Sequence, residues 1–255
     1  DYNVVSITPE LLDLETTKII PVVNFKYDAN ATAKSKEALA TLVTDAITTY
    51  STDSLEQFEQ VFRYSPFTTL IDEVDPAILS NITTIKISKT FKPTLNSALK
   101  YTISFSNALY NPHSGHAAST TGTIAGGILS STGFTISGSS ETYYLEDDGA
   151  GIVNAYYISG SSKVYLTTGA VGTIDYTTGD IVLTKINITS VGQVNAADST
   201  SIRLTVVPSS NDIVPVRNQI LEIDTVNISV TGAADTIASG AGDAGVNYST
   251  TSSYS

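Results

Sequence analysis

Residues 54–81, SLEQFEQVFRYSPFTTLIDEVDPAILSN, decide how this chain is read. Leu55, Phe58, Val61 and Phe62 recur at helical spacing and predict a short amphipathic helix. Ser65 then reads as an N-cap with Pro66 at the first helical position, where a missing amide costs nothing. Phe67, Leu70, Ile71 and Val74 supply the next apolar face, and Asp75-Pro76 repeats the cap-then-proline signal for one more turn. Two short helices side by side, followed by a strand over 82–90, make a scaffold that presents a surface. They do not make a pocket.

Upstream, residues 18–27 (KIIPVVNFKY) predict a strand with Val23, Phe25 and Tyr27 on one face, and Pro21 places it at an edge or delays its start. A helix is expected over about 32–50, because Leu39, Leu42, Val43, Ala46, Ile47 and Tyr50 form a continuous stripe. Downstream, Ile85 and Ile87 alternate with Lys86 and Ser88, and over 100–107 Tyr101, Ile103 and Phe105 alternate with Thr102 and Ser104. Residues 1–111 therefore read as an α+β unit.

From about 112 to 189 the texture changes to Gly, Ser and Thr, with short strand signals about every ten residues. Candidate strands fall at 134–137, 143–146, 152–158, 163–167, 171–176 and 180–189, and Thr-Thr-Gly-Asp at 177–180 is a hairpin signal. A mobile loop is expected over 114–131. Strands at 201–207 and 219–230 follow, and residues 190–231 are positioned to return to the first unit. Residues 232–255 are small and polar, the composition of a flexible tail. The fold class expected is α+β: a mixed α/β unit with an inserted or appended small antiparallel β domain.

Composition narrows the function. With no Cys among 255 residues, disulfides, zinc thiolates and a cysteine nucleophile are excluded. Met is absent too and the chain opens on Asp1, which reads as a piece of a longer protein. No apolar run is long enough to span a bilayer, and no basic-then-apolar leader opens the sequence. A formal charge of −12 repels phosphate backbones and argues against direct nucleic-acid binding. The acidity serves solubility; the sharper alternative is attraction to a basic neighbouring subunit.

Constellations with chemical potential are sparse. His113 and His116 are the two histidines, three apart in an expected loop, and lack the further ligands a metal site needs. No Gly-x-Ser-x-Gly elbow supplies a nucleophile, and GTIAGG at 122–127 does not match a phosphate-binding loop. Glu146-Asp147-Asp148 precedes a glycine turn but lacks the alternate spacing of a calcium loop, and reads as a solvated hairpin turn. No catalytic, cofactor or metal residues are assigned. Arg63, Tyr64, Arg217 and Asn218 are the interface candidates, since Arg and Tyr bury area while donating hydrogen bonds. Arg63 alternatively caps helix carbonyls or pairs with an acid such as Asp72.

The strings F-x-x-x-F-R-Y-S (58–65), I-D-x-x-D-P-A-I (71–78) and S-N-x-T-T-I (80–85) resemble the baseplate wedge proteins of contractile-tailed bacteriophages. Within that family the likeness is to the carboxyl-terminal part of the large subunit that links neighbouring wedges into a ring. NALYNPHSG (107–115) and SSNDIVPVRNQILEI (209–223) are similar to the same half. The resemblance implies a non-enzymatic virion protein of the tail baseplate that associates with its own copies, in homodimer or ring contacts, and with other wedge subunits. It further implies a ring that rearranges when the tail contracts, no cofactor, and an amino-terminal half that engages other baseplate proteins.

Two other classes fit parts of the sequence. A secreted or cell-surface adhesin module would share the acidity and Thr/Ser-rich strands, and would bind Ca²⁺ through 146–148. A carbohydrate-active enzyme would need an acid pair in an aromatic cleft; the 14 tyrosines supply aromatics, but no Trp supplies the usual sugar platform.

Overall fold

A computed structural model describes residues 15–112, 127–195, 198–216 and 218–236. In chain order these form β1 (Glu15–Tyr27), α1 (Lys36–Tyr50), a π-helical turn (Ser51–Leu55), α2 (Tyr64–Asp72), β2 (Ile78–Phe91), β3 (Ser97–Ser104) and β4 (Ser130–Ser131). There follow β5 (Phe134–Ile136), β6 (Tyr143–Asp147), β7 (Ile152–Ser159), β8 (Ser162–Tyr165), β9 (Gly172–Asp175) and β10 (Asp180–Val191). Last come β11 (Ile202–Val206), β12 (Gln219–Ile223) and β13 (Ser229–Ala234).

The α+β expectation is overturned. Strands account for 46% of the described residues and helices for 14%, with two α-helices among them, so the fold is mostly β. The stretch 54–62 is where the sequence reading failed. Phe62 exchanges backbone hydrogen bonds with Ile213, 3.0 Å in each direction, so its peptide groups pair with a remote segment and not with a helical turn. Leu55 and Phe62 are still buried, but from a π turn and irregular backbone, and Glu59 takes a φ of 63°. Phe58, expected on the buried face, is 62% exposed.

α1 forms where the stripe predicts it, but starts later. Ser35 is the N-cap, its hydroxyl accepting from the Ala38 amide at 3.2 Å. Leu39, Val43 and Ile47, four apart, are the buried positions.

The first sheet has the order β12-β1-β2-β11-β4, with β13 also on β1. β1 and β2 run antiparallel, pairing Ile19 with Ile87 and Val23 with Thr83. β1 is thus an interior strand, against the expected edge. On its other side it pairs in parallel with β12 through Ile19 and with β13 from Val22 onward, so Pro21 falls at the break between them. A residue with no amide to donate is tolerated there.

The second sheet runs β3-β10-β5-β6-β7-β8, and β9 pairs with both β10 and β7. The path β10-β5-β6-β7-β9 therefore returns to β10 and closes on itself, leaving β3 and β8 as outer strands. β9 and β10 form the hairpin expected at Thr-Thr-Gly-Asp, with Gly179 at φ 78° and its amide bonded to the Asp175 carbonyl at 2.9 Å. Leu145, Val153, Ala155, Ile174, Ile181 and Leu183 are buried on these strands. One cluster of buried apolar residues runs through both sheets. Lys89 ties them together: its ammonium lies 2.7 Å from the Ser104 carbonyl of β3 and 2.7 Å from the Glu15 carboxylate.

Candidate interaction surfaces

Arg63 and Tyr64 open α2. Arg63 is the N-cap residue, extended at φ −111° and ψ 122°, and its side chain caps nothing locally. The cap comes from Asp212, whose carboxylate accepts the Tyr64 amide at 2.9 Å and the Arg63 guanidinium at 2.8 Å. These two donors hold the Asp212 carboxyl below the usual carboxylate range, the amide first and the guanidinium second. A negative charge at a helix N-terminus also meets the positive end of the helix dipole. Ser65, expected as the cap, lies inside the first turn. Asp72, the acid suggested for Arg63, instead accepts from the Asn81 amide group at 2.7 Å. The Tyr64 hydroxyl turns inward and donates to the Thr83 carbonyl at 2.7 Å.

Of the second pair, Arg217 lies outside the described residues. Asn218 sits just before β12, half-buried, and its carbonyl accepts the Glu15 amide at 3.1 Å. His113 and His116 also fall outside the described residues.

The acidic triplet is not a solvated turn. Asp147 is only 3% exposed and accepts from the Tyr176 hydroxyl at 2.6 Å, the Leu129 amide at 2.7 Å and the Gly149 amide at 3.2 Å. Burial, then the hydrogen bond to Asp147, pushes the Tyr176 hydroxyl well above its ordinary range. Glu146 binds Lys163 and accepts from the Tyr165 hydroxyl at 2.5 Å. Asp148 accepts from the Ala150 and Ile152 amides at 2.8 and 3.0 Å. Among the described residues, no three His, Cys, Asp or Glu side chains stand together as a metal site.

A surface that residue-by-residue reading missed lies on β6, β7 and β8. Tyr144, Tyr156 and Tyr165 are register partners across these strands, with ring centroids 5.8 and 6.1 Å apart. The Lys163 ammonium sits 4.4 Å above the Tyr156 ring. The hydrogen bond to Glu146 raises the Lys163 pKa and the Tyr165 pKa alike. Ile158 and Tyr165 are exposed at its margin. The result is a rigid, aromatic, amphipathic patch, the composition that protein interfaces favour. Its signal was in the alternation of the three expected strands, which puts these tyrosines on one face once the register is known.

Residues 19–90, from within β1 to near the end of β2, match the family model described as baseplate structural protein gp6, C-terminal domain III. No curated protein matches the chain. The match supports a baseplate wedge protein of contractile-tailed phage, in its carboxyl-terminal part, and with it a place in the virion's tail baseplate.

Proposed function

We propose that the chain is a non-enzymatic building block of the wedge, which associates with its own copies and with other wedge subunits to form a ring that rearranges when the tail contracts. The observation that carries this reading is the match over residues 19–90 to a baseplate structural domain. The packing supports it. The matched segment supplies most of β1, all of α1 and α2 and most of β2, and long-range bonds such as that from the Tyr64 amide to Asp212 tie it to the rest of the chain.

Mechanically, a body with one continuous core moves as a unit, so rearrangement takes place at contacts between bodies. The second sheet, most of which lies within 112–189, acts as a contact surface of its own. Residues 190–231 work with the first unit, because β11, β12 and β13 join its sheet. Arg63 and Tyr64 sit where a neighbour reaches them, as does Asn218. Neither nucleic acid nor a cofactor takes part, and no helix among the described residues is long and apolar enough to cross a membrane.

The test is co-assembly. Purified chain is mixed with the remaining wedge subunits and resolved on a density gradient. Entry into a complex of defined size is expected. A chain that stays at the top of the gradient with every subunit overturns the reading.

A further inference from the structure

β2 and β3 follow one another in the chain but do not pair. β2 belongs to the first sheet, and β3 is an outer strand of the second. The Phe91 and Tyr101 rings, with centroids 5.3 Å apart, hold them side by side next to the turn at 92–96. A cleft of about 390 Å³ lies between the two strands, lined by Thr90 of β2 and Thr102 and Ser104 of β3, with Glu15 and Lys89. β3 meets β10 on one side only. The Phe105 amide bonds to the Gly179 carbonyl on that side, so the backbone groups of Ser104 and Thr102, at alternate positions, point the other way. There the Ser104 carbonyl takes the Lys89 ammonium, while no strand meets the amide and carbonyl of Thr102. The other outer strand, β8, is half as long, four residues against eight.

The sequence that builds this edge is basic within an acidic chain. From Pro76 to Ser140 there is no Asp or Glu, although the chain holds 25 of them. The same stretch carries Lys86, Lys89, Lys92 and Lys100. Lys89 is buried, and Glu15 and Ser104 take two of the three protons of its ammonium. Lys92 in the turn and Lys100 in β3 are exposed, and neither makes an ion pair within the described residues. The nearby acids lie elsewhere: Glu15 is bound to Lys89, and Asp180 faces Ser104 from the β10 side. Leu95 and Leu99, 44% and 45% exposed, add apolar surface between the two lysines.

We propose that the open edge of β3 takes an extended, acidic segment of a different protein, which adds a strand at Thr102 and sets its carboxylates against Lys92 and Lys100. This rests on the building-block reading above and names the chemistry of a partner. Main-chain hydrogen bonds to the edge supply affinity, and the lysines choose the segment. A second copy of the chain is not the occupant, because two such edges brought together oppose lysine to lysine. Lysine on an edge strand also turns away uncharged strands, so the residues that admit an acidic segment refuse the others. Charges this exposed make the contact weaken with salt.

The experiment is fluorescence anisotropy of a dye-labelled peptide titrated with the full chain at low and high salt. The probe alternates Glu and Thr over about eight residues and is blocked at both ends, and a Lys–Thr peptide of the same length is its control. The parent chain is expected to bind the acidic peptide, more weakly in high salt, and to leave the basic one unbound. Lys92→Gln/Lys100→Gln is expected to bind about tenfold more weakly and to lose most of the salt dependence. Thr102→Pro removes the outward amide, a change that an edge strand tolerates, and is expected to bind about tenfold more weakly as well. Unchanged thermal unfolding confirms that each variant folds. If the proline variant does not fold, hydrogen exchange at the Thr102 amide of the parent replaces it, and the acidic peptide is expected to slow that exchange. No binding of the acidic peptide, equal binding of both peptides, or a Thr102 amide untouched by the peptide overturns the proposal. A parent chain that enters the wedge complex yet ignores the acidic peptide shows that this edge is wrong while the building-block reading stands. A chain that binds the peptide through Thr102 but joins no wedge complex upholds the edge and overturns that reading.

Discussion

Asp212 and Tyr64 lie 148 residues apart, yet the Asp212 carboxylate accepts the Tyr64 backbone amide at 2.9 Å and so caps a helix whose own flanking residues do not. A long-range acid does the work usually done by a local Ser, Thr or Asp. This fixes α2 to the segment before β12.

Replacing Asp212 with Ala removes the cap and the Arg63 partner together, and lowers the urea midpoint. Asp212→Asn retains an oxygen for the Tyr64 amide and loses less. Arg63→Gln loses least, because an exposed ion pair contributes little. Limited proteolysis around 208–216 follows the same order.

Phe58 and Phe62 separate the two readings of residues 54–62. Phe62 packs against Phe67 with ring centroids 5.1 Å apart, and both are fully buried. Phe62→Ala is expected to cost about 3–5 kcal/mol. Phe58→Ser is expected to stay within about 0.5 kcal/mol of the parent. Equal losses at both positions, measured by urea denaturation, would restore the buried helical face.

Asp75 sets the acid limb of stability. Its buried carboxylate takes the Lys34 ammonium at 2.6 Å and the Ala77 amide at 2.9 Å. These hold its pKa below the ordinary 3.8, Lys34 contributing most. A lowered carboxyl pKa gives stability that is complete above about pH 5 and lost as pH falls through the folded-state value. Asp75→Asn flattens that limb and costs roughly 1–2 kcal/mol at neutral pH, toward the low end because Lys34 is half exposed. Thermal melts from pH 2 to 7 read both effects.

Tyr176→Phe deletes the hydroxyl bonded to buried Asp147 and is expected to cost about 1.5–3 kcal/mol. In the parent chain the raised Tyr176 pKa means that its contribution is complete below about pH 10 and lost only above. A spectrophotometric titration shows one tyrosine that ionises after the rest. The Phe variant lacks that late step.

What the sequence disclosed and what it hid divide by range. The α1 stripe of Leu39, Val43 and Ile47, the alternation around Ile85 and the β9–β10 turn are set by neighbours within a few residues, and each was legible. Phe62 takes its backbone partner from Ile213, so its helical spacing misled and the helical content was overread. Asp147 looked solvated because two of its three donors, Leu129 and Tyr176, lie 18 and 29 residues away. The Tyr144–Tyr156–Tyr165 row needs three strands in register before it exists. Arg63 was singled out for its residue type, while its partner Asp212 was invisible without the fold.

Sedimentation velocity of the full chain over a wide concentration range, with and without chelator, tests the building-block role most directly. A sedimentation coefficient that rises with concentration to a dimer or larger species, unchanged by chelator, is the predicted result. A strict monomer at every concentration, alone and mixed with the other wedge subunits, would contradict it.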